Sequence, residues 1–138
     1  MRIRQARAAD FTAVEVLLRS TAGVWQPTWR SDAVQRALLS SDGLAYVAEN
    51  DGVLIGFVCA HDTGFRAYLS ELVVTESHHR CGVGSALMAA VHKGVAQRGC
   101  KLVVADIYPP AVPFYRRLGW REPQAALLCR DVGSDDAV

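Results

Sequence analysis

Residues His78 to Gly99 read HHRCGVGSALMAAVHKGVAQRG and follow closely on the apolar run Leu72-Val73-Val74. Leu87, Met88, Val91 and Val95 recur at helical spacing behind Gly82-Val83-Gly84, and Gly99 suits the left-handed position past a helix end. The stretch therefore predicts a strand, a short glycine-containing loop, and an amphipathic helix that opens straight out of the loop. The first turn of such a helix presents backbone N–H groups without intrahelical partners at a positive end, a place to hold an anion such as a diphosphate. Two glycines alone would equally suit a tight packing turn.

About thirty residues further on, Ala111 to Trp120 reads AVPFYRRLGW. It predicts a short helix with Pro113 in its first turn, an aromatic pair at Phe114-Tyr115, and termination at Gly119. Together, in this order and at this separation, the two blocks resemble the GNAT superfamily of N-acetyltransferases. Their acetyl-CoA site uses an Arg/Gln-x-x-Gly-x-Gly/Ala loop and a later Asn-x-x-Ala-x-x-Phe-Tyr-x-x-x-Gly-Phe block. This chain departs at two places, with His79 where the family has Arg or Gln and Tyr108 where it has Asn.

Upstream, Phe11, Val14, Leu17 and Leu18 predict a first helix with Asp10 as its N-cap. Val34, Ala37 and Leu38 predict a second, starting near Ser31-Asp32. Ala45 to Glu49 and Val53 to His61 read as strands joined through Asn50-Asp51-Gly52, a hairpin signal. Ala67 to Thr75 reads as a third strand of an antiparallel meander, and Lys101 to Ile107 as a buried strand reached by a strand-helix-strand crossover. Trp120 to Asp131 has room for a short strand or a tight pair. The expected order is β-α-α-β-β-β-α-β-α-β. The fold class is α/β (α+β): a mixed, mostly antiparallel sheet with a central strand-loop-helix acetyl-CoA site and helices on both faces. One domain is expected over residues 1–131, followed by a flexible C-terminal tail over 132–138.

The chain has 138 residues, 51% apolar and 21% charged, with a formal net charge of +1. That suits one domain, and it offers no basic footprint for nucleic acid. The N-terminal MRIRQARAAD lacks the apolar core of a secretion signal and no apolar run approaches a membrane span, so a cytoplasmic protein without a membrane partner is expected. Cys59, Cys81, Cys100 and Cys129 lack C-x-x-C spacing, and no metal is expected. Cys59, Cys100 and Cys129 read as reduced core residues. Cys81 reads as a loop residue used for its backbone N–H, with a catalytic thiol as the alternative.

The resemblance implies that acetyl-CoA meets Leu72, Val73 and Val74 at the end of a splayed strand. It places the diphosphate on His79, Arg80, Cys81, Gly82, Val83, Gly84 and Ser85, with Tyr108, Phe114 and Tyr115 completing the cofactor side. Tyr115 matches a tyrosine that protonates the departing thiolate, and core packing is its alternative role. Glu71, polar within an apolar strand, is read as the base or ammonium anchor, or else as an acid facing solvent. Asp106 is the second acid considered. Trp25 and Trp29 lie in the inter-helix segment that shapes the acceptor pocket in this family, where an aromatic wall attracts an ammonium; pinning the loop to the core is the alternative. His61, His78, His79 and His92 invite a hydrolase reading, but no nucleophile elbow accompanies them, and Ser85 falls in a helix's first turn.

The expected activity is acetyl transfer from acetyl-CoA to a primary amine, by direct attack in a ternary complex, with a small-molecule amine favoured as acceptor. A protein N-terminus or lysine is the alternative acceptor, and an acyl-CoA-sensing module without turnover is the alternative from another class. An exposed sheet edge would allow a homodimer.

Overall fold

Asp51 and Gly52 both take positive φ, 51° and 78°, the backbone of a two-residue turn that matches the twist of the strands it joins. Those strands are β2 (Ala45–Asn50) and β3 (Val53–Asp62), antiparallel from Ala45↔Cys59 to Asn50↔Val53. In the computed structural model, which describes residues 1–133, the chain divides into two units at Ala105 and Asp106. The first unit carries a five-stranded sheet in sequential order. In it β1 (Arg2–Gln5) pairs antiparallel with β2, and β4 (Ala67–Val74) pairs antiparallel with β3. The short β5 (Val103–Val104) runs parallel to β4, reached through α3 (Val83–Gln97).

The alternation of β2 and β3 decides which helix covers which face. Val47, Phe57 and Cys59 point into one core with Val14, Leu17 and Leu18 of α1 (Phe11–Ser20) and Val34 of α2 (Ala33–Ser41). On the opposite face α3 buries Leu87, Met88 and Val91 completely. Gly56 sets how closely that helix approaches. A Cβ there would lie 2.9 Å from Leu87 Cδ1 and 3.0 Å from Val83 Cγ1, so the missing side chain is the space α3 occupies.

β3 and β4 lose register once. Cys59 faces Glu71 and Ala60 faces Leu69, which leaves Ser70 as the extra residue of a β-bulge. Just before that bulge, β5 pairs with β4 at Ala67↔Val103 and Tyr68↔Val104 and nowhere else. The expected strand over Lys101 to Ile107 is therefore cut to two residues, because the bulge bends β4 away from a neighbour that would otherwise continue alongside.

Among its described residues the second unit holds one 3-10 turn, Pro109–Ala111, and α4 (Val112–Arg117). Tyr115 is buried between Phe114 and Trp120, with ring centroids 5.1 and 5.2 Å away in edge-on contact. Arg116 pairs with Glu122. The strand expected within Trp120 to Asp131 is absent, and residues 121–133 are exposed throughout. No face of that segment is buried, and Pro123 has no N–H to give a ladder. Of the expected tail, residues 134–138 lie outside the described residues.

Two further expectations are corrected. Of the three cysteines assigned to the core, only Cys59 is buried, while Cys100 is half-buried and Cys129 exposed. Asp10 does occupy the N-cap position of α1, but its side chain makes no cap bond. It reaches backwards instead, accepting from the Arg7 N–H at 2.7 Å and holding the Arg4 guanidinium in a two-pronged pair at 2.8 and 2.9 Å. Arg4 also pairs with Glu49 at 3.3 Å. This cluster ties β1, β2 and the entry to α1 together.

The Arg4 hydrogen bond is the largest cause holding the Asp10 carboxyl below its ordinary value of 3.8. A lowered carboxyl contributes stability that is present above that ordinary value and is lost as pH falls through the folded one. Asp10→Asn should therefore cost about 2 kcal/mol at pH 7, the scale of a charged hydrogen bond, and less at pH 2.5. Urea denaturation at both pH values checks this, and an equal loss at the two would mean the charge plays no part.

Candidate active site

The connection from β4 to α3 is built by its backbone. Val74 pairs with Gly56 on its inner side, and Thr75 N–H continues the ladder to Ile55 O at 2.9 Å. On its outer side β4 has no ladder partner from Leu69 to Val74 among the described residues. A 3-10 turn over Glu76–His78 follows, with Thr75 Oγ1 and His78 Nδ1 3.0 Å apart. His79 Nε2–H donates to Val74 O at 2.9 Å, folding the loop back onto the strand end. Arg80 and Gly82 then take positive φ, 64° and 81°.

Gly82 is the N-cap of α3. It brings no side-chain oxygen to occupy the first N–H groups of the helix, which stay open to a ligand. Its φ disfavours any other residue, and no atom lies within 4 Å of where its Cβ would stand. Val83 is buried and pins the helix start against Gly56, while Arg80, Cys81 and Ser85 are exposed around the opening. An anionic group fits this cradle on the helix axis, where the positive end of the dipole favours it.

A cleft with about 850 Å³ of empty space, its open mouth included, lies on the other face of the sheet beneath the inter-helix segment. Trp29 forms one wall, Phe57 and Val34 line its apolar part, and His61, Ser70 and Glu71 bring the polar groups. Trp29 and Glu71, singled out separately in the sequence, therefore share one cavity. Trp25 is not among its lining residues. It packs against the core and meets Trp29 edge-on at 5.2 Å, while the Arg19 guanidinium covers its ring at 3.8 Å. That cation–π contact is worth roughly 0.5–1 kcal/mol at an exposed site, too little to hold the segment. Burial of Trp25 holds it, and Trp25 in turn backs Trp29.

His61 and Ser70 are polar residues of the cleft to which sequence reasoning gave no place in it. Ser70 Oγ donates to Cys59 O at 3.1 Å, so it accepts from His61 Nε2–H at 2.8 Å. Nδ1 lies 3.0 Å from Ser40 Oγ, a hydroxyl that also reaches Ala37 O at 3.3 Å. Burial pushes the His61 pKa below its ordinary 6.5, a backbone hydrogen bond with Ser40 opposing it, and burial also pushes the Cys59 thiol up to about 12. The period-two alternation Phe57, Cys59, His61 was a usable signal for His61. The partners on residues 40 and 70 are long-range and had none.

Asp106, Tyr108, Phe114 and Tyr115 all belong to the second unit. Tyr108 is exposed and precedes the 3-10 turn as its N-cap, and Asp106 is exposed. Among the described residues there is no group of three or more His, Cys, Asp or Glu side chains placed to hold a metal ion. No described helix is long and apolar enough to cross a membrane.

The profile of the Acetyltransferase (GNAT) family matches residues 4–120. An uncharacterized N-acetyltransferase, ycf52-like, of Prochlorococcus marinus is 29% identical over 120 residues, covering 84% of this chain. The match spans 65% of that relative's length, less than two thirds of it. Among solved structures, the PaiA N-acetyltransferase from Thermoplasma acidophilum in complex with coenzyme A superposes with a TM-score of 0.78 at 16% identity, over 91% of this chain and 92% of that one. AAC(6')-Iy in complex with a bisubstrate analog superposes with a TM-score of 0.76 at 22% identity, over 96% and 98%. At these identities the likeness is one of fold.

The neutral His61 carries its own pH signature. A histidine whose folded pKa is lowered binds fewer protons than the unfolded chain, so its contribution is complete above 6.5 and declines as pH falls from there towards the folded value. His92, also lowered by burial, adds a slope of the same sign. An NMR titration should place the His61 midpoint below 6.5, and His61→Gln should flatten part of the stability loss between pH 7 and 5. A midpoint above 6.5 would overturn burial as the dominant influence on the ring.

Proposed function

Because the chain belongs to the GNAT acetyltransferase family, we propose that it transfers the acetyl group of acetyl-CoA to the primary amine of a small molecule. The observation that carries this reading is the Gly82 cradle, a left-handed glycine N-cap with open space above it at the end of β4. Acetyl-CoA supplies, when bound, the thioester whose carbonyl carbon the amine attacks. The backbone N–H groups from Arg80 to Ser85 would hold its diphosphate beside His79, whose own N–H donates to Glu76 O, with the exposed Arg80 adding a positive charge. The outer edge of β4 from Leu72 to Val74 would give backbone donors and acceptors to the pantetheine arm, and the family pattern assigns Tyr108 and Phe114 to the same cofactor.

The protein's own work is then proton traffic. An amine arrives as an ammonium and attacks only when neutral. Glu71 attracts the cation into the cleft and takes its proton, directly or through water, with Asp106 as the second acid considered. As the new C–N bond forms, the C–S bond breaks, and the Tyr115 hydroxyl returns a proton to the departing thiolate. Trp29, backed by Trp25, walls the acceptor. A small-molecule acceptor suits a cleft lined by side chains, and the bisubstrate analog bound by AAC(6')-Iy joins CoA to an acceptor of that general size class.

Gly82→Asp adds a side chain and a negative charge to the cradle. It should weaken acetyl-CoA binding at least tenfold by calorimetry while the circular dichroism spectrum stays that of the parent. Parental affinity in the folded variant would move the cofactor elsewhere.

The proton assignments are checked together. Glu71→Gln should lower kcat/KM for amines, with the deficit shrinking as pH rises and more amine arrives neutral. Tyr115→Phe should lower turnover roughly a hundredfold at unchanged acetyl-CoA affinity. A Glu71→Gln profile that keeps the parental basic limb, or full turnover in Tyr115→Phe with chemistry rate-limiting, removes the corresponding role.

A further inference from the structure

The cleft under Trp29 says more about its occupant than that it is an amine. We propose, resting on the reading above, that the acceptor is a monoamine with an apolar body: one primary ammonium at the Glu71 end and an aromatic or branched aliphatic group against Trp29, Phe57 and Val34.

The charge inventory of the cavity leads there. Glu71 is the one carboxylate among its lining residues. Arg30, also on the lining, is matched by its own acid, with Nε 3.1 Å from Asp32 Oδ1 and a second nitrogen donating to Oδ2 at 3.1 Å. His61 has a serine hydroxyl within 3.0 Å of each ring nitrogen, and its burial disfavours the charged form. The lining therefore offers at most one carboxylate to an ammonium and no unmatched cation to an anion. A polyamine or an aminoglycoside brings two or more ammonium groups, and the second would lie against Phe57, Val34 and Ala37 without a counter-charge. An amino acid brings a carboxylate that meets Glu71 with the same sign.

The walls argue in the same direction. Phe57 is almost wholly buried beneath the cavity and Val34 lies beside it, so a polar body would leave its hydrogen-bonding groups unmet on that side. A planar apolar body buries there instead and stands edge or face to the indole of Trp29.

The test uses the full chain with saturating acetyl-CoA and reads thiol release. The probes are 2-phenylethylamine, 3-methylbutylamine, phenylalanine, spermidine and kanamycin, together with a lysine-containing peptide. The two apolar monoamines should show kcat/KM at least tenfold above every other probe. Ala37→Phe, which fills the apolar part of the cleft, should raise KM for 2-phenylethylamine at least tenfold while acetyl-CoA affinity, measured by calorimetry, stays parental. Turnover of spermidine, kanamycin, phenylalanine or peptide above that of the monoamines overturns this inference and leaves the acetyltransferase reading standing. Absence of acetyl-CoA binding to the parent overturns both.

Discussion

One inserted residue in β4 organises the cleft side of the sheet. Side chains alternate along a strand, so Tyr68 and Glu71, three positions apart, would point to opposite faces of a regular β4. The bulge at Ser70 breaks that parity. Glu71 faces Cys59 and Tyr68 faces His61, two β3 residues on the same side, and the His61 and Tyr68 rings stack at 6.5 Å as a result. Leu69 keeps to the other face and is buried there. Without the extra residue, either the acid or the aromatic would leave the cleft's side of the sheet.

The bulge has two further effects that do not depend on one another. It gives Ser70 a position from which its hydroxyl bonds both Cys59 O and His61, so the irregular backbone is stitched on its cleft side. It also turns β4 away from β5, whose pairing ends at Tyr68↔Val104. The strand that delivers the chain to the Gly82 loop thus runs its last six residues with one edge unladdered. His79, in place of the longer side chains usual at its position, uses its ring to close back onto Val74 O. A short side chain suits that role, since the bond is local.

How much of this was readable in the sequence follows from how local each feature is. The Asn50-Asp51-Gly52 hairpin, the helix from Val83 and the glycine loop before it depend on neighbours within a few residues, and they stand where the pattern put them. The site was legible to the extent that Glu71 and Trp29 meet in one cleft. What escaped depends on distant partners. The two-residue β5 reflects a bend in β4, and the absence of a strand after Trp120 reflects a segment with no face buried. Asp10 was assigned a cap by its position alone, whereas an arginine six residues earlier takes its carboxylate. The Ser40, His61 and Ser70 bonds join a helix to two strands, and alternation could point only to the histidine.

The two sides of the site are made of different material. The Gly82 loop is a matter of backbone torsions and an empty volume, whereas the cleft is written in side chains carried largely by the inter-helix segment and α2. Exchanges at Ala33 or Ala37 reshape the cavity without touching a torsion between His79 and Ser85. Under the proposed activity, a lineage of such chains is free to drift in what it accepts while holding constant what it donates from, and selection for a new acceptor would leave its record between residues 28 and 37.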